Sequence, residues 1–209
     1  MFAPGAGRFL GPVLAAAIAV ALLLGLTSFL PMVAGAPLLA FLLALAGFFA
    51  VFFRDPERVP ADGIVSAADG RVRAVEVEGD RLRISVFMNV GNVHVNRFPV
   101  DATVESVESS GTGHRPAYRP DAHHNVRRAY RLSSPLGEVE VVQMTGILAR
   151  RLVSFVAAGD RARKGDRLGM IVLGSRVDVL LPSARVTPVV TVGARVRAGA
   201  TPIARERSP

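Results

Sequence analysis

From Phe9 to Phe53 the chain carries no Asp, Glu, Lys or Arg, so this stretch has to be set apart before any globular reasoning. A hydrocarbon layer of roughly 30 Å is crossed by about 20 apolar residues in a helix, and the stretch is long enough for two such helices. Pro31, with Pro37 and the nearby glycines, supplies a turn between residues 12–30 and 32–53. A cleaved signal peptide would be far shorter. Arg8 flanks one side and Arg54 and Arg58 the other, and positive residues favour the cytoplasmic face. The expectation is a transmembrane helical hairpin over residues 1–53, with both ends inside and the remainder of the chain at the cytoplasmic face of the cell membrane.

Residues 54–209 then form the second region. Lys and Arg number 25 against 17 Asp and Glu, a net charge of +8. Because Arg8 is the only charge before Arg54, this basic balance belongs to the later region. It reads as a solvated Arg-rich surface or as a surface for anionic lipid head groups. No helix or aromatic platform points to nucleic acid. Cysteine is absent, which excludes disulfides, thiolate zinc sites and a cysteine nucleophile.

Short β-branched runs broken by Gly, Asp and Pro dominate here, at residues 63–66, 71–77, 82–88, 103–106, 138–144, 170–173, 177–181 and 186–192. That pattern predicts a mainly β domain. Residues 147–158 fit a short helix or another strand, and 109–128, polar and rich in turn residues, read as a long loop. Residues 159–165 and 193–199 share Gly, Arg, Arg and Gly at the same offsets. Each would make a turn between strands of a small lipoyl-like barrel or sandwich.

Several residues could carry chemistry. Gly169-Met-Ile-Val-Leu-Gly174-Ser175-Arg-Val-Asp178 is an apolar run broken by a Gly-Ser step, with 35 residues left from Ser175 to the end. Ser175 is positioned to attack its own preceding peptide bond, because glycine admits backbone geometries that bring a neighbouring hydroxyl onto its carbonyl. In Val93-His94-Val95-Asn96-Arg97 the alternation puts His94 and Asn96 on one strand face; alone, such a histidine is structural or functional. Asp69 sits in an Asp-Gly turn, a common element. Lys164, the only lysine, falls in an exposed turn, a poor place for the desolvated amine of a lysine-bound aldehyde cofactor. His123-His124 lacks the spacing of a zinc site, so no metal is expected.

Taken together, Arg54-Asp-Pro-Glu-Arg58, Ile64-Val-Ser-Ala-Ala-Asp69-Gly70-Arg-Val72, Asn92-Val-His94-Val-Asn-Arg-Phe-Pro99 and the Gly174-Ser175 segment resemble the phosphatidylserine decarboxylases of the short, archaeal-type branch. The resemblance runs to about Pro182. It implies a proenzyme in which Ser175 attacks the Gly174 carbonyl, splitting the chain into 1–174 and 175–209. These two chains stay together as a heterodimer, with a covalent pyruvoyl cofactor derived from Ser175. It further implies a phospholipid substrate whose serine amine forms a Schiff base with the pyruvoyl ketone before CO2 leaves. The lipid is phosphatidylserine or its archaeal ether equivalent. By the same resemblance Asp69 orients the histidine and His94 is the base. Three positions on, where the long bacterial pattern has a second histidine, this chain has Arg97, read as a contact for the lipid phosphate or carboxylate; Asn96, on the His94 face, is a second substrate contact. The competing readings are a non-catalytic, membrane-tethered lipoyl-like adaptor and a peripheral domain that binds anionic lipid.

Overall fold

The computed structural model describes residues 1–26, 32–113, 115, 124–146, 151–172 and 175–207, the side chains of 24–26 and 32–35 excepted. The chain divides into two compact units, Met1–Pro56 and Glu57–Pro209.

The first unit holds two helices, α1 (Gly7–Leu26) and α2 (Met32–Phe52). Phe9 stacks on Phe53 with ring centroids 5.0 Å apart and meets Phe49 at 6.5 Å. The transmembrane hairpin expected over 1–53 is not supported, because no helix among the described residues is long and apolar enough to cross a membrane. An apolar run is not the same thing as an apolar helix: α1 as described takes in Arg8. Pro12 and Pro37 also lie inside the helices, where each removes a backbone donor.

The second unit is built of antiparallel strands: β1 (Ile64–Val65), β2 (Gly70–Glu78), β3 (Arg81–Met88), β4 (Val95–Arg97), β5 (Ala102–Ser110), β6 (Arg127–Ser134), β7 (Gly137–Thr145), β8 (Arg151–Ser154), β9 (Arg161–Ala162), β10 (Arg167–Val172), β11 (Ser175–Pro182), β12 (Val186–Pro188), β13 (Arg195–Val196) and β14 (Pro202–Glu206). One sheet has eight strands in the order β13-β2-β3-β11-β7-β6-β5-β9; two have three each, β1-β14-β12 and β4-β10-β8. Period-2 patterning explains the core: Val177, Val179 and Leu181 of β11 point inward with Ile84, Val86, Val139 and Val141, all fully buried.

A mainly β unit is what the patterning predicts, and its strands extend further than expected at their polar ends. β5 runs on through Ser110 and β6 begins at Arg127, inside the stretch expected to be loop. In β6 the buried Tyr130 and Leu132 alternate with exposed Arg131 and Ser133, a signal diluted by the arginines around it. The stretch left open between helix and strand contributes β8; its residues 147–150, like 114 and 116–123 of the expected loop, lie outside the described residues.

The Gly-Arg repeat marks an internal duplication. Its two copies supply β9 and β13, the opposite edges of the eight-stranded sheet. Each copy grips its neighbour identically. Gly193 N donates to Val72 O and Val72 N to Ala194 O, while Gly159 N donates to Val104 O and Val104 N to Asp160 O. β2 and β5 carry a register shift at the matching place, just after Val72 and Val104. Asp69 Oδ1 accepts the Ala198 N–H at 2.7 Å, and Asp101 Oδ1 accepts the Lys164 N–H at 2.7 Å. The halves meet where Val65 N donates to Pro99 O and Arg97 N to Ala67 O.

Candidate active site

β11 lies between β3 and β7, and Ser175 opens it, paired with Met88 on one side and Thr145 on the other. The preceding strand, β10, belongs to a different sheet. Residues 173–174, between the two strands, lie outside the described residues. The Ser175 side chain is fully buried, and its Oγ donates to Met88 Sδ at 3.4 Å.

His94 reaches the same end of the sheet. After Met88 the chain turns on Asn89, whose side chain accepts from Gly91 N at 3.0 Å, and on Asn92, whose Oδ1 accepts from Asn89 N at 2.9 Å. His94 then pairs with the strand leading to Ser175: Ile171 N donates to His94 O. The ring is 1% exposed, and its Nδ1 lies 2.9 Å from Asn92 O. A carbonyl can only accept, so Nδ1 carries the proton and Nε2 is the nitrogen able to take one.

Asn96 is fully buried and shares the His94 face. Its Nδ2 donates to Met88 Sδ at 3.7 Å, and its Oδ1 accepts from Gln143 Nε2 at 2.8 Å. Gln143 Oε1 accepts in turn from the Tyr130 hydroxyl at 3.1 Å. Gly169 makes room for this group: a Cβ there would fall 2.8 Å from the Tyr130 hydroxyl oxygen and 3.0 Å from Gln143 Nε2. Sequence reading passed over Met88, Gln143 and Tyr130. The available signal was Gln143 itself, a lone amide in the apolar run Val141-Val142-Gln143-Met144, since a buried polar group needs partners.

Burial holds the Tyr130 phenol above its ordinary value near 10, with Ser154 and Arg128 opposing more weakly. The native state therefore keeps this proton longer than the unfolded chain, so its stabilisation is complete below pH 10 and is lost as pH climbs through the raised native value. Between pH 10 and 11, urea unfolding of Tyr130→Phe is expected to lose stability less steeply than wild type, by up to about 1.4 kcal/mol per pH unit. Parallel slopes in the two proteins would contradict this.

Asp69 and Arg97 sit differently. Besides the Ala198 N–H, Asp69 takes Arg58 Nη2 on Oδ2 at 3.0 Å, in an ion pair with both side chains nearly buried. Its twin Asp101 is exposed. Capping a turn is thus common to both halves, and the arginine is what sets Asp69 apart. Arg97 projects from β4 on the side opposite Asn96, its Nη1 donating to Gly165 O at 2.7 Å. The hydrogen bonds of Asp69 lead to Arg58 and the Ala198 turn, and those of Asn96 to Met88 and Gln143. A groove of about 810 Å³ lies on the far face of β11, lined by Arg176, Asp178 and Leu180, which alternate with Ser175. Ser175 faces the core instead.

Comparison with known proteins gives this geometry a family. The phosphatidylserine decarboxylase family pattern matches residues 45–204. The phosphatidylserine decarboxylase proenzyme of Thermobifida fusca is 46% identical over 165 residues, covering 78% of this chain and 76% of its own. A Halobacterium salinarum protein named as an archaetidylserine decarboxylase proenzyme is 48% identical over 166 residues, 78% of this chain and 83% of its own. The Oleidesulfovibrio alaskensis phosphatidylserine decarboxylase proenzyme is 44% identical over 177 residues, 79% and 80% of the two chains. With the match running through the β unit as far as Ala204 in β14, the chain belongs to the phosphatidylserine decarboxylase family and is a decarboxylase of the proenzyme type.

Proposed function

We propose that this proenzyme cuts itself between Gly174 and Ser175 and then removes CO2 from the serine head group of a phospholipid. The observation that carries the reading is a buried serine hydroxyl on the first residue of a central strand, with the buried His94 bonded to the strand that precedes it.

Ser175 Oγ bonds to the Gly174 carbonyl carbon and its proton passes to His94 Nε2. The C–N bond breaks, so the amide becomes an ester and the Ser175 nitrogen becomes an amine. Removal of the Ser175 Cα proton then expels Gly174 as a carboxylate, taking the former hydroxyl oxygen with it. Water hydrolyses the resulting dehydroalanine, in its imine form, to ammonia and a pyruvoyl group. Because this happens once per molecule, a barrier of about 23 kcal/mol still allows completion within hours, and one weak base suffices.

Position 175 fits such a group. It is shielded from water and borders Met88, to whose sulfur Asn96 also donates. Once formed, the pyruvoyl ketone supplies the electron sink for decarboxylation. The chain's own residues do the rest. β11 stays laddered to β3 and β7 along its length, so chains 1–174 and 175–209 remain one heterodimer. Arg58 pairs with Asp69 near the turn. Arg97 contributes the cation for the lipid's phosphate or carboxylate on releasing Gly165 O, its partner on the opposite side of β4, and Asn96, engaged by Gln143 and Met88, acts from behind. The enzyme works at the cytoplasmic surface of the cell membrane, where a net charge of +8 suits anionic lipid.

Intact mass and a denaturing gel of the purified protein test this. Two chains are expected, 1–174 and 175–209, the shorter without a free amino terminus. Borohydride with a diacyl or archaeal ether serine phospholipid should add a reduced adduct to the shorter chain. An active protein of one unbroken 209-residue chain would overturn the reading.

A further inference from the structure

The hydrogen bonds behind Ser175 run in one direction. Tyr130 OH donates to Gln143 Oε1, Gln143 Nε2 donates to Asn96 Oδ1, and Asn96 Nδ2 donates to Met88 Sδ. Ser175 Oγ donates to that same sulfur from the other side. All five side chains are fully buried. The direction is forced at Met88: a thioether can only accept, so Asn96 turns its N–H to the sulfur and its oxygen to the Gln143 N–H. A methionine is unbranched, with three rotatable bonds, and would otherwise fill the space loosely.

From this geometry we infer that Met88 is a positioning residue for self-cleavage: its sulfur, pinned by Asn96, sets the direction of the Ser175 hydroxyl and so the rate at which the proenzyme matures. The inference rests on the self-cleavage proposed above. A thioether is a weak acceptor and cannot take the serine proton as a base does; it can only aim the O–H. An O–H directed at Met88 turns the oxygen lone pairs elsewhere, and one of them has to meet the preceding carbonyl. Maturation also removes what Met88 holds, because the oxygen leaves with Gly174. The influence of the sulfur on chemistry is therefore concentrated in the maturation step.

The test compares Met88→Leu and Met88→Gln with wild type, following disappearance of the uncut chain after synthesis and then kcat per matured site. Leu fills almost the same volume and is expected to fold, but it offers no acceptor; maturation should slow about tenfold, the effect of one lost neutral hydrogen bond, with a smaller change in kcat. Gln is similar in length and presents an amide oxygen to both donors, so it should mature within about twofold of wild type. If Met88 serves only to fill space, the order reverses: Leu matures normally and Gln is the slow variant, which overturns the inference. Should Leu fail to fold, tenfold slower maturation in a folded Gln variant overturns it alone. A wild-type chain that never splits is a different result and sinks the self-cleavage reading itself.

Discussion

Ser175→Ala is expected to accumulate as one uncut chain of 209 residues with no decarboxylase activity, folded and nearly as stable as wild type. The two halves of this expectation have separate physical grounds. Activity is lost because no other atom at position 175 can attack the preceding carbonyl, so neither the new chain end nor the ketone derived from it can form. Stability is kept because the backbone of β11 makes its ladder whatever the side chain, opposite Met88 and Thr145. The hydroxyl itself donates to a thioether at 3.4 Å, and removing so weak a bond costs about 1 kcal/mol or less. Gel, intact mass and urea unfolding read these outcomes together. Ser175→Cys keeps a nucleophile at the same place and is expected to mature slowly instead of not at all. A two-chain product from Ser175→Ala would place the cut elsewhere; an uncut but unfolded product would make Ser175 a packing residue.

What could be read from the sequence was whatever is local. The Gly174-Ser175 break in an apolar run, the alternation that puts His94 and Asn96 on one face, and the Asp69-Gly70 turn are each a few residues long and visible without tertiary knowledge. So was the Gly-Arg repeat, although nothing local says that its two copies become opposite edges of one sheet or that Asp101 is the counterpart of Asp69. Tertiary pairing was harder. β6 was missed because Arg127, Arg128 and Arg131 mask the buried Tyr130 and Leu132. The polar chain behind Ser175 joins β3, β4, β6, β7 and β11, and no sequence window contains it. The transmembrane hairpin failed for a related reason: apolar residues were counted along the chain, whereas a span is limited by how far one apolar helix runs, and none among the described residues runs far enough.

Gly70→Ala is expected to damage the fold and the site together. Composition marks Gly70 only as half of an Asp-Gly turn, but in the structure it opens β2 with φ +156, and a Cβ there would fall 2.1 Å from Phe87 O and 2.9 Å from Phe87 C. Those atoms are backbone, so no rotamer change relieves the overlap; β2 and β3 must part at their end. Overpacking of about 1–3 kcal/mol adds to backbone strain of similar size, for an expected loss of about 3–5 kcal/mol. Phe87 immediately precedes Met88, the partner of Ser175, so the peptide that must move is the one that positions the serine. Maturation should therefore slow as well, even at temperatures where the variant is folded. Gly79→Ala is the control: its φ is +61, but a Cβ there meets nothing within 4 Å, leaving only a left-handed penalty of about 1–2 kcal/mol far from the serine. Urea midpoints and maturation rates of the two variants decide the matter. If Gly70→Ala loses no more stability than Gly79→Ala and matures at the wild-type rate, then the close approach of β2 to the Phe87 carbonyl does not hold Met88 against Ser175.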